Sequence, residues 1–205
     1  MRNVIGIRDL SGHTGSGRAA VVVLGHPPEP GARPEIGRRT DVTLVTDGLP
    51  ARVYHDAAGL LPAEASALVS RVERATLRAA DDVLAGLLAC AKRGEAVLAL
   101  PIDPVEAHEL PPVADLVASH SLMHVAETAL YRDAWLAAAA EHGLVVHRYH
   151  PATVRTELAH LARAGQAEVD EQLLEWGQRV GRPWRREHKE AALGAWLASL
   201  VSIRR

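Results

Sequence analysis

Two histidines and a glutamate recur along one predicted helix at a spacing that suits a metal ion. His120, His124 and Glu127 stand at positions i, i+4 and i+7, and residues three or four apart share a helix face. Two imidazoles placed in this way can bind one Zn²⁺ or Fe²⁺ ion, with Glu127 as a further ligand. The alternative is that Ser119 caps the helix and His120 is exposed in its first turn. A metal-dependent enzyme built on His120 and His124 is therefore one hypothesis.

A basic stretch near the carboxyl end, "GRPWRREHK", offers a second kind of chemistry. Its candidate nucleic-acid-binding residues are Arg182, Trp184, Arg185, Arg186 and Lys189. Cationic side chains around an aromatic ring can hold a phosphate backbone while the ring stacks on a base. The alternative is a basic helix junction in which Trp184 is a packing residue.

The stretch "GHTGSGRA", residues 12–19, approaches the pattern of a phosphate-binding loop without completing it. Gly12 and Gly17 have the required spacing, but Arg18 replaces the lysine and Ala19 replaces the hydroxyl residue. Such a loop must lead into a helix whose N–H groups face the phosphates. A strand-like run follows here, so we interpret the glycines as a hairpin turn.

His55 and Asp56 stand side by side at the end of a β-prone stretch and could form a general-base couple. Adjacent side chains of a strand point to opposite faces, which disfavours that couple.

Composition excludes several classes of protein. A net charge of −2 provides no overall basic field, so nucleic-acid binding needs a local patch. The single cysteine, Cys90, excludes an intrachain disulfide, and no apolar stretch reaches transmembrane length. We expect a cytoplasmic protein with one domain over 1–205, in which a sheet core spans 1–150 and a helical part spans 151–205.

The chemistry-bearing residues must be positioned by an alternating set of strands and helices. Apolar runs predict strands at 4–7, 18–25, 95–102 and 144–150. The proline-rich residues 26–40 are interpreted as a loop, and 41–56 as one strand or a hairpin. Helical periodicity predicts helices at 62–91, 119–142, 151–179 and 184–201. This order predicts a mixed sheet, with three antiparallel strands and then two parallel ones, flanked by helices.

Three features resemble the ribonuclease H-like fold of ribonuclease H, resolvases and integrases. The order of the elements is similar, "VIGIRDLSG" resembles the first strand of that fold, and "REHKEAALGAWLASL" resembles its last, acidic helix. The resemblance implies a nuclease site in which carboxylates hold two Mg²⁺ or Mn²⁺ ions. The implied catalytic residues are Asp9, Asp103, Glu187 and Glu190, with Asp9, Glu187 and Glu190 as the metal ligands.

The first strand departs from the pattern of this superfamily. The expected aspartate position, two residues after Gly6, is occupied by Arg8, and Asp9 is one residue late. A shift by one residue turns a side chain to the opposite face unless the strand bulges.

We therefore expect a ribonuclease H-like domain that is either a metal-dependent nuclease or a non-catalytic module that binds nucleic acid or protein. The helix at 63–91 is also a candidate surface for a homodimer.

Overall fold

A computed structural model of the chain describes residues 2–10, 16–27, 32–45, 48–89, 96–102 and 110–203. Within these residues the strands are β1 (Arg2–Asp9), β2 (Arg18–His26), β3 (Glu35–Thr43), β4 (Ala96–Pro101) and β5 (Val145–Tyr149). The helices are α1 (Val53–Ala57), α2 (Pro62–Leu88), α3 (Val113–Leu116), α4 (His120–Glu141), α5 (Val154–Ala162), α6 (Gln166–Val180) and α7 (Arg186–Ile203).

The strands form one mixed sheet in the order β3-β2-β1-β4-β5. β1 pairs antiparallel with β2, and β2 pairs antiparallel with β3. β4 lies parallel to β1 and to β5. The predicted mixed sheet with a central first strand is confirmed, and the carboxyl ends of β1 and β4 meet at the same edge.

Alternation along each strand divides the core into two apolar layers. Ile5 and Ile7 of β1 pack with α2 and α4 on one face. Val4, on the other face, packs with the layer formed by α5, α6 and α7. The successive apolar residues that looked like one continuous run therefore belong to both layers, because strand side chains alternate.

α7 lies directly against the sheet, and small residues permit this approach. A Cβ added to Gly6 would lie 1.9 Å from the backbone oxygen of Ala191. A Cβ added to Gly194 would lie 2.3 Å from Cε1 of Tyr149. α7 is buried on several sides, because α5 packs on its outer surface and Trp176 of α6 makes an edge contact with Trp196 at 5.4 Å.

Two predicted segments differ from the structure. β3 begins at Glu35, inside the segment 26–40 that the sequence predicts as a loop. The sequence does not reveal this strand because it lies at the edge of the sheet, and its mostly polar side chains show no apolar alternation. Val53 and Tyr54, predicted as β-prone, lie in the short helix α1, where both are buried against the α2–α4 layer. Burial in tertiary contacts outweighs local β propensity there.

The carboxyl-terminal part has three helices, whereas the sequence predicted two. The predicted helix 151–179 is interrupted after Ala162, where Arg163 adopts a left-handed conformation with φ of 53°. α6 then begins after Gly165, whose N–H donates a 2.7 Å bond to the Glu168 carboxylate. Across the described residues, none of the helices combines the length and apolar character needed to span a membrane.

Candidate functional site

A cleft of about 580 Å³ opens at the edge of the sheet where β1 and β4 end. Ile7, Leu44, Leu100 and Trp135 contribute apolar walls. The charged residues that line it are Arg8, Asp9, Arg18, Arg132 and Arg186. Four arginines and one carboxylate form this described lining. Arg132 is paired with the neighbouring Asp133, and Arg8 and Arg186 share Glu190, so the four arginines outnumber the acids Asp9, Asp133 and Glu190 by one. This small excess of positive charge suits an anionic ligand.

Arg8, the last inward residue of β1 on the α7 face, is joined to α7 by an ion pair. Its Nε donates to Oε2 of Glu190 at 2.7 Å, and each side chain is only 11% exposed. The other carboxylate oxygen of Glu190 accepts a 2.6 Å bond from Arg186. Glu190 therefore lies between two guanidinium groups, and its negative charge is already compensated.

Asp9 lies on the opposite face of the sheet from this ion pair. The β1–β2 pairing runs without a register break from Arg2 and His26 to Asp9 and Ala19. No bulge therefore turns Asp9, and alternation places its side chain on the face of Ile7, covered by α2 and α4.

The candidate catalytic carboxylates are thus distributed over both faces of the sheet, although Asp9 lines the same cleft as Arg186. Glu187 and Glu190 are in the first turns of α7, on one face, whereas Asp9 is on the other face. Asp103 lies outside the described residues.

These residues do not fit the pair of magnesium ions that the resemblance implies. Mg²⁺ requires several oxygen ligands in near-octahedral geometry. The position facing Glu190 carries the guanidinium of Arg8, a cation that repels a metal ion and occupies the carboxylate.

Gly17 shows why the glycine-rich stretch is needed. Its φ is +65°, and an added Cβ would lie 2.4 Å from Cγ2 of Val45 and 2.9 Å from the hydroxyl of Tyr131. β2 follows immediately at Arg18, in place of the helix that a phosphate-binding loop requires. Residues 11–15, which include Gly12, lie outside the described part of the chain.

Tyr131 closes the wall of the cleft beside Gly17. Burial, reinforced by the charges of Glu127 and Asp9, raises the pKa of Tyr131 well above its usual range. The hydroxyl therefore stays protonated and donates a 2.5 Å hydrogen bond to the carbonyl of Ala51. This bond attaches α4 to the segment that leads into α1.

His55 of α1 joins His120 and His124 of α4 in a three-histidine cluster. One ring nitrogen from each residue lies within 4.8 Å of the others. The Nε2 atoms of His120 and His124 are 3.2 Å apart. Desolvation and the neighbouring His120 and His55 lower the pKa of His124. Imidazoles bind metals in their neutral form.

Glu127 lies behind this cluster. Its side chain is fully buried, and Oε1 is 2.8 Å from Nδ1 of His55. The carboxylate therefore orients the His55 ring, whereas the sequence suggested a direct ligand. The sequence carries no signal that joins His55 to this cluster, because its neighbour Asp56 suggests a different couple and no fixed spacing links His55 to a helix 65 residues further along.

The basic stretch at the start of α7 is largely engaged in packing. Trp184 donates from Nε1 to the carbonyl of Leu173 at 2.9 Å and stacks on His188 with ring centroids 6.0 Å apart. A Cβ on Gly177 would lie 2.5 Å from the indole, which confirms the close contact. This placement corresponds to the packing alternative for Trp184, and a role in base stacking stays a prediction.

The cations of this stretch differ in their contacts. Arg185 pairs with Asp41 of β3, and Arg186 pairs with Glu190. Arg182 and Lys189 are exposed. Of the predicted nucleic-acid-binding residues, only Arg186 also lines the cleft.

His188, which follows Arg186 and Glu187, is fully buried between α7 and β3. Its Nε2 lies 2.7 Å from Oδ1 of Asp41, and its Nδ1 accepts a 3.1 Å bond from the N–H of Arg185. Desolvation lowers the pKa of His188 despite the opposing effect of Asp41. The neutral tautomer with a proton on Nε2 satisfies both contacts.

Comparison with known proteins identifies the fold. No protein-family model and no curated protein sequence matches the chain. A structure of Thermus thermophilus RuvC is 14% identical, with a TM-score of 0.56, and the match covers 98% of this chain and 95% of that one. A second structure, T. thermophilus RuvC in complex with a Holliday junction substrate, is 13% identical, with a TM-score of 0.57 and the same coverage. The resemblance to ribonuclease H-like resolvases is confirmed at the level of the fold.

Proposed function

We propose that this protein is a ribonuclease H-like module that binds nucleic acid through its arginine-lined cleft and does not cleave it with a two-metal carboxylate site. The observation that carries the proposal is the buried pair between Arg8 and Glu190. It places a cation where a nuclease of this fold is expected to hold a metal-binding acid.

The exposed arginines of the cleft are suited to a phosphate backbone. Arg18 is exposed at the start of β2, and the side chain of Arg186 is 80% exposed although it pairs with Glu190. Guanidinium groups bind phosphate oxygens in a bidentate manner. Because Arg8 occupies one carboxylate oxygen of Glu190, Glu190 cannot fully neutralise both arginines.

Binding to DNA is supported by the solved structure of RuvC with a Holliday junction substrate, which shares this fold. A four-way DNA junction is therefore the first probe. A duplex and a single strand of the same sequences test whether the cleft prefers branched DNA.

The binding experiment is fluorescence anisotropy of labelled DNA, with salt varied from about 50 to about 200 mM. Replacing both Arg18 and Arg186 with alanine should weaken the affinity at least about tenfold. It should also reduce the slope of log affinity against log salt by about one to two, since each lost phosphate contact contributes about 0.9. The matched control replaces Arg71 and Arg74, which are exposed on α2 outside the cleft lining.

The proposal is contradicted if the control double variant loses as much affinity as the cleft variant. Absence of any affinity for DNA or RNA at low salt also contradicts it, and would favour the alternative of a protein-binding module.

The nuclease alternative is decided with the same DNA in the presence of Mg²⁺ or Mn²⁺. We expect the junction to remain intact. Cleavage that is lost in both Glu187→Gln and Glu190→Gln would instead establish that the acidic residues of α7 form a catalytic site.

A further inference from the structure

The histidine cluster has the dimensions of a metal site. A tetrahedral Zn²⁺ ion with Zn–N bonds of about 2.0–2.1 Å holds pairs of ligand nitrogens about 3.4 Å apart. The Nε2 atoms of His120 and His124 are separated by 3.2 Å. One ring nitrogen of His55 lies within 4.8 Å of one ring nitrogen of each of the other two histidines.

The hydrogen bond between His55 and Glu127 leaves Nε2 of His55 available to bind a metal ion. Its Nδ1–H donates to Oε1 of Glu127 at 2.8 Å. Its Nε2 is buried and has no hydrogen-bond partner among the residues that the structure describes. A carboxylate that fixes the far nitrogen of a ligating imidazole is a recurrent feature of zinc sites, because it sets the tautomer and the orientation of the ring.

The burial of Glu127 gives an independent reason to expect a cation. The carboxylate is fully buried, and within the described part of the chain its Oε2 has no hydrogen-bond partner. Its Oε1 accepts hydrogen bonds from Nδ1 of His55 at 2.8 Å and from the backbone N–H of His55 at 3.4 Å. A buried carboxylate oxygen without a hydrogen-bond partner is disfavoured. A divalent ion bound to the other side of His55 supplies a positive charge near this carboxylate.

We propose that His55, His120 and His124 bind one Zn²⁺ ion, with Glu127 positioning His55. Three imidazole nitrogens select zinc and related transition metals and do not suit Mg²⁺, which requires oxygen ligands. Three protein ligands leave a fourth coordination position for water or an anion. Because His124 also lines the cleft, the proposed site adjoins the proposed phosphate-binding surface.

This site is separate from the Arg8–Glu190 pair and does not depend on nucleic-acid binding. It uses α1 and α4, on the face opposite α7. Because its ligands differ from Arg18 and Arg186, metal binding and DNA binding are tested with separate variants.

The test uses the full chain after treatment with a chelator and gel filtration. Zn²⁺ is titrated by calorimetry, and Co²⁺ is titrated while its visible absorption is recorded, since the intensity of these bands reports tetrahedral coordination. We expect one ion per chain, displacement of Co²⁺ by Zn²⁺, and no displacement by a large excess of Mg²⁺.

Three variants locate the ligands. His120→Ala is the primary variant because His120 is exposed, so the fold should tolerate its loss. We expect it to lower the affinity for Zn²⁺ at least about 100-fold, whereas Glu127→Gln should lower it about 10–100-fold through the orientation of His55. His160→Ala, at an exposed histidine of α5 outside the cluster, is the matched control and should bind as the unmodified chain does.

Melting temperature provides a second readout. Zn²⁺ should raise it in the unmodified chain and in His160→Ala, but not in His120→Ala, because only the folded site binds the ion. The proposal is overturned if no stoichiometric binding occurs, or if His120→Ala and His160→Ala bind equally well. The cluster would then be three imidazole rings in contact with one another and no metal site.

Discussion

The Nε of Arg8 on β1 donates a 2.7 Å hydrogen bond to the carboxylate of Glu190 on α7, 182 residues further along the chain. This pair joins the central strand to the last helix at the edge of the sheet where the cleft opens. The pair gives Arg8 a structural role. It also places a cation at a position where the fold suggests a metal-binding acid.

Removing Arg8 should destabilise the protein. Arg8→Ala leaves the largely buried Glu190 with Arg186 alone, so we expect a loss of about 3 kcal/mol in the free energy of unfolding, near the lower limit for a broken buried pair. Urea denaturation measures this loss. The control is Arg33→Ala, whose pair with Glu168 is about half exposed and should contribute about 0–1 kcal/mol. Equal losses in the two variants would contradict a special role for the Arg8 pair.

Reversing the charge should create sensitivity to divalent ions. Arg8→Asp places a second carboxylate beside Glu190, so repulsion should lower the melting temperature below that of Arg8→Ala. Mn²⁺ or Mg²⁺ should restore part of the loss in Arg8→Asp but not in Arg8→Ala, as measured by thermal melting with and without the metal. Identical responses of both variants to the metal would show that the two carboxylates do not converge.

Two glycine substitutions should have opposite effects. Gly6→Ala would place a Cβ 1.9 Å from the backbone of Ala191, so α7 must move away from the sheet, and we expect a loss of at least about 3 kcal/mol. Gly86→Ala, in the exposed part of α2 with nothing within 4 Å, should stabilise by about 0.5–1 kcal/mol through helix propensity. Chemical denaturation of both variants tests this, and a tolerated Gly6→Ala would contradict the close approach of α7.

Stability should decrease as pH falls below about 6.5. Burial lowers the folded-state pKa of His188 and of His26 from the ordinary value of 6.5. Below pH 6.5 these two histidines are protonated more readily in the unfolded chain than in the folded chain, so protonation favours unfolding. Unfolding free energies measured between pH 7.5 and 5.5 should decrease, and the slope should be smaller in His188→Ala. An unchanged slope in this variant would exclude His188 as the source.

Homodimerisation through α2 stays a prediction, and a mass measurement in solution decides it. Leu77 is 41% exposed on this helix, away from the buried α4 contact. Light scattering should give twice the chain mass of 22.0 kDa, and Leu77→Glu should shift it to the monomer. A monomeric unmodified chain would contradict the prediction.

Four of the strands, β1, β2, β4 and β5, and the two long helices α2 and α4 could be predicted from the sequence because their signals are local. The apolar residues of α2 recur at helical spacing, and β1, β2 and β4 are short apolar runs. The arginine at position 8, where the superfamily pattern has an aspartate, could also be recognised from the sequence. That position is defined only by its distance from Gly6 along the chain. By contrast, β3 has polar side chains on an edge, so its pairing with β2 left no local signal.

The two candidate sites depended on the tertiary structure. The spacing of His120 and His124 follows from helical geometry alone, but His55 reaches them only because α1 packs against α4. The sequence contained the charges of Arg8, Asp9 and Glu190 but did not show which pairs form. The unbroken register of β1 places Arg8 toward α7 and Asp9 away from it, and Glu190 pairs with the residue on its own side. Local periodicity is set by neighbouring residues along the backbone, whereas a site requires distant segments to pack at a particular angle and register, and only the folded chain determines those.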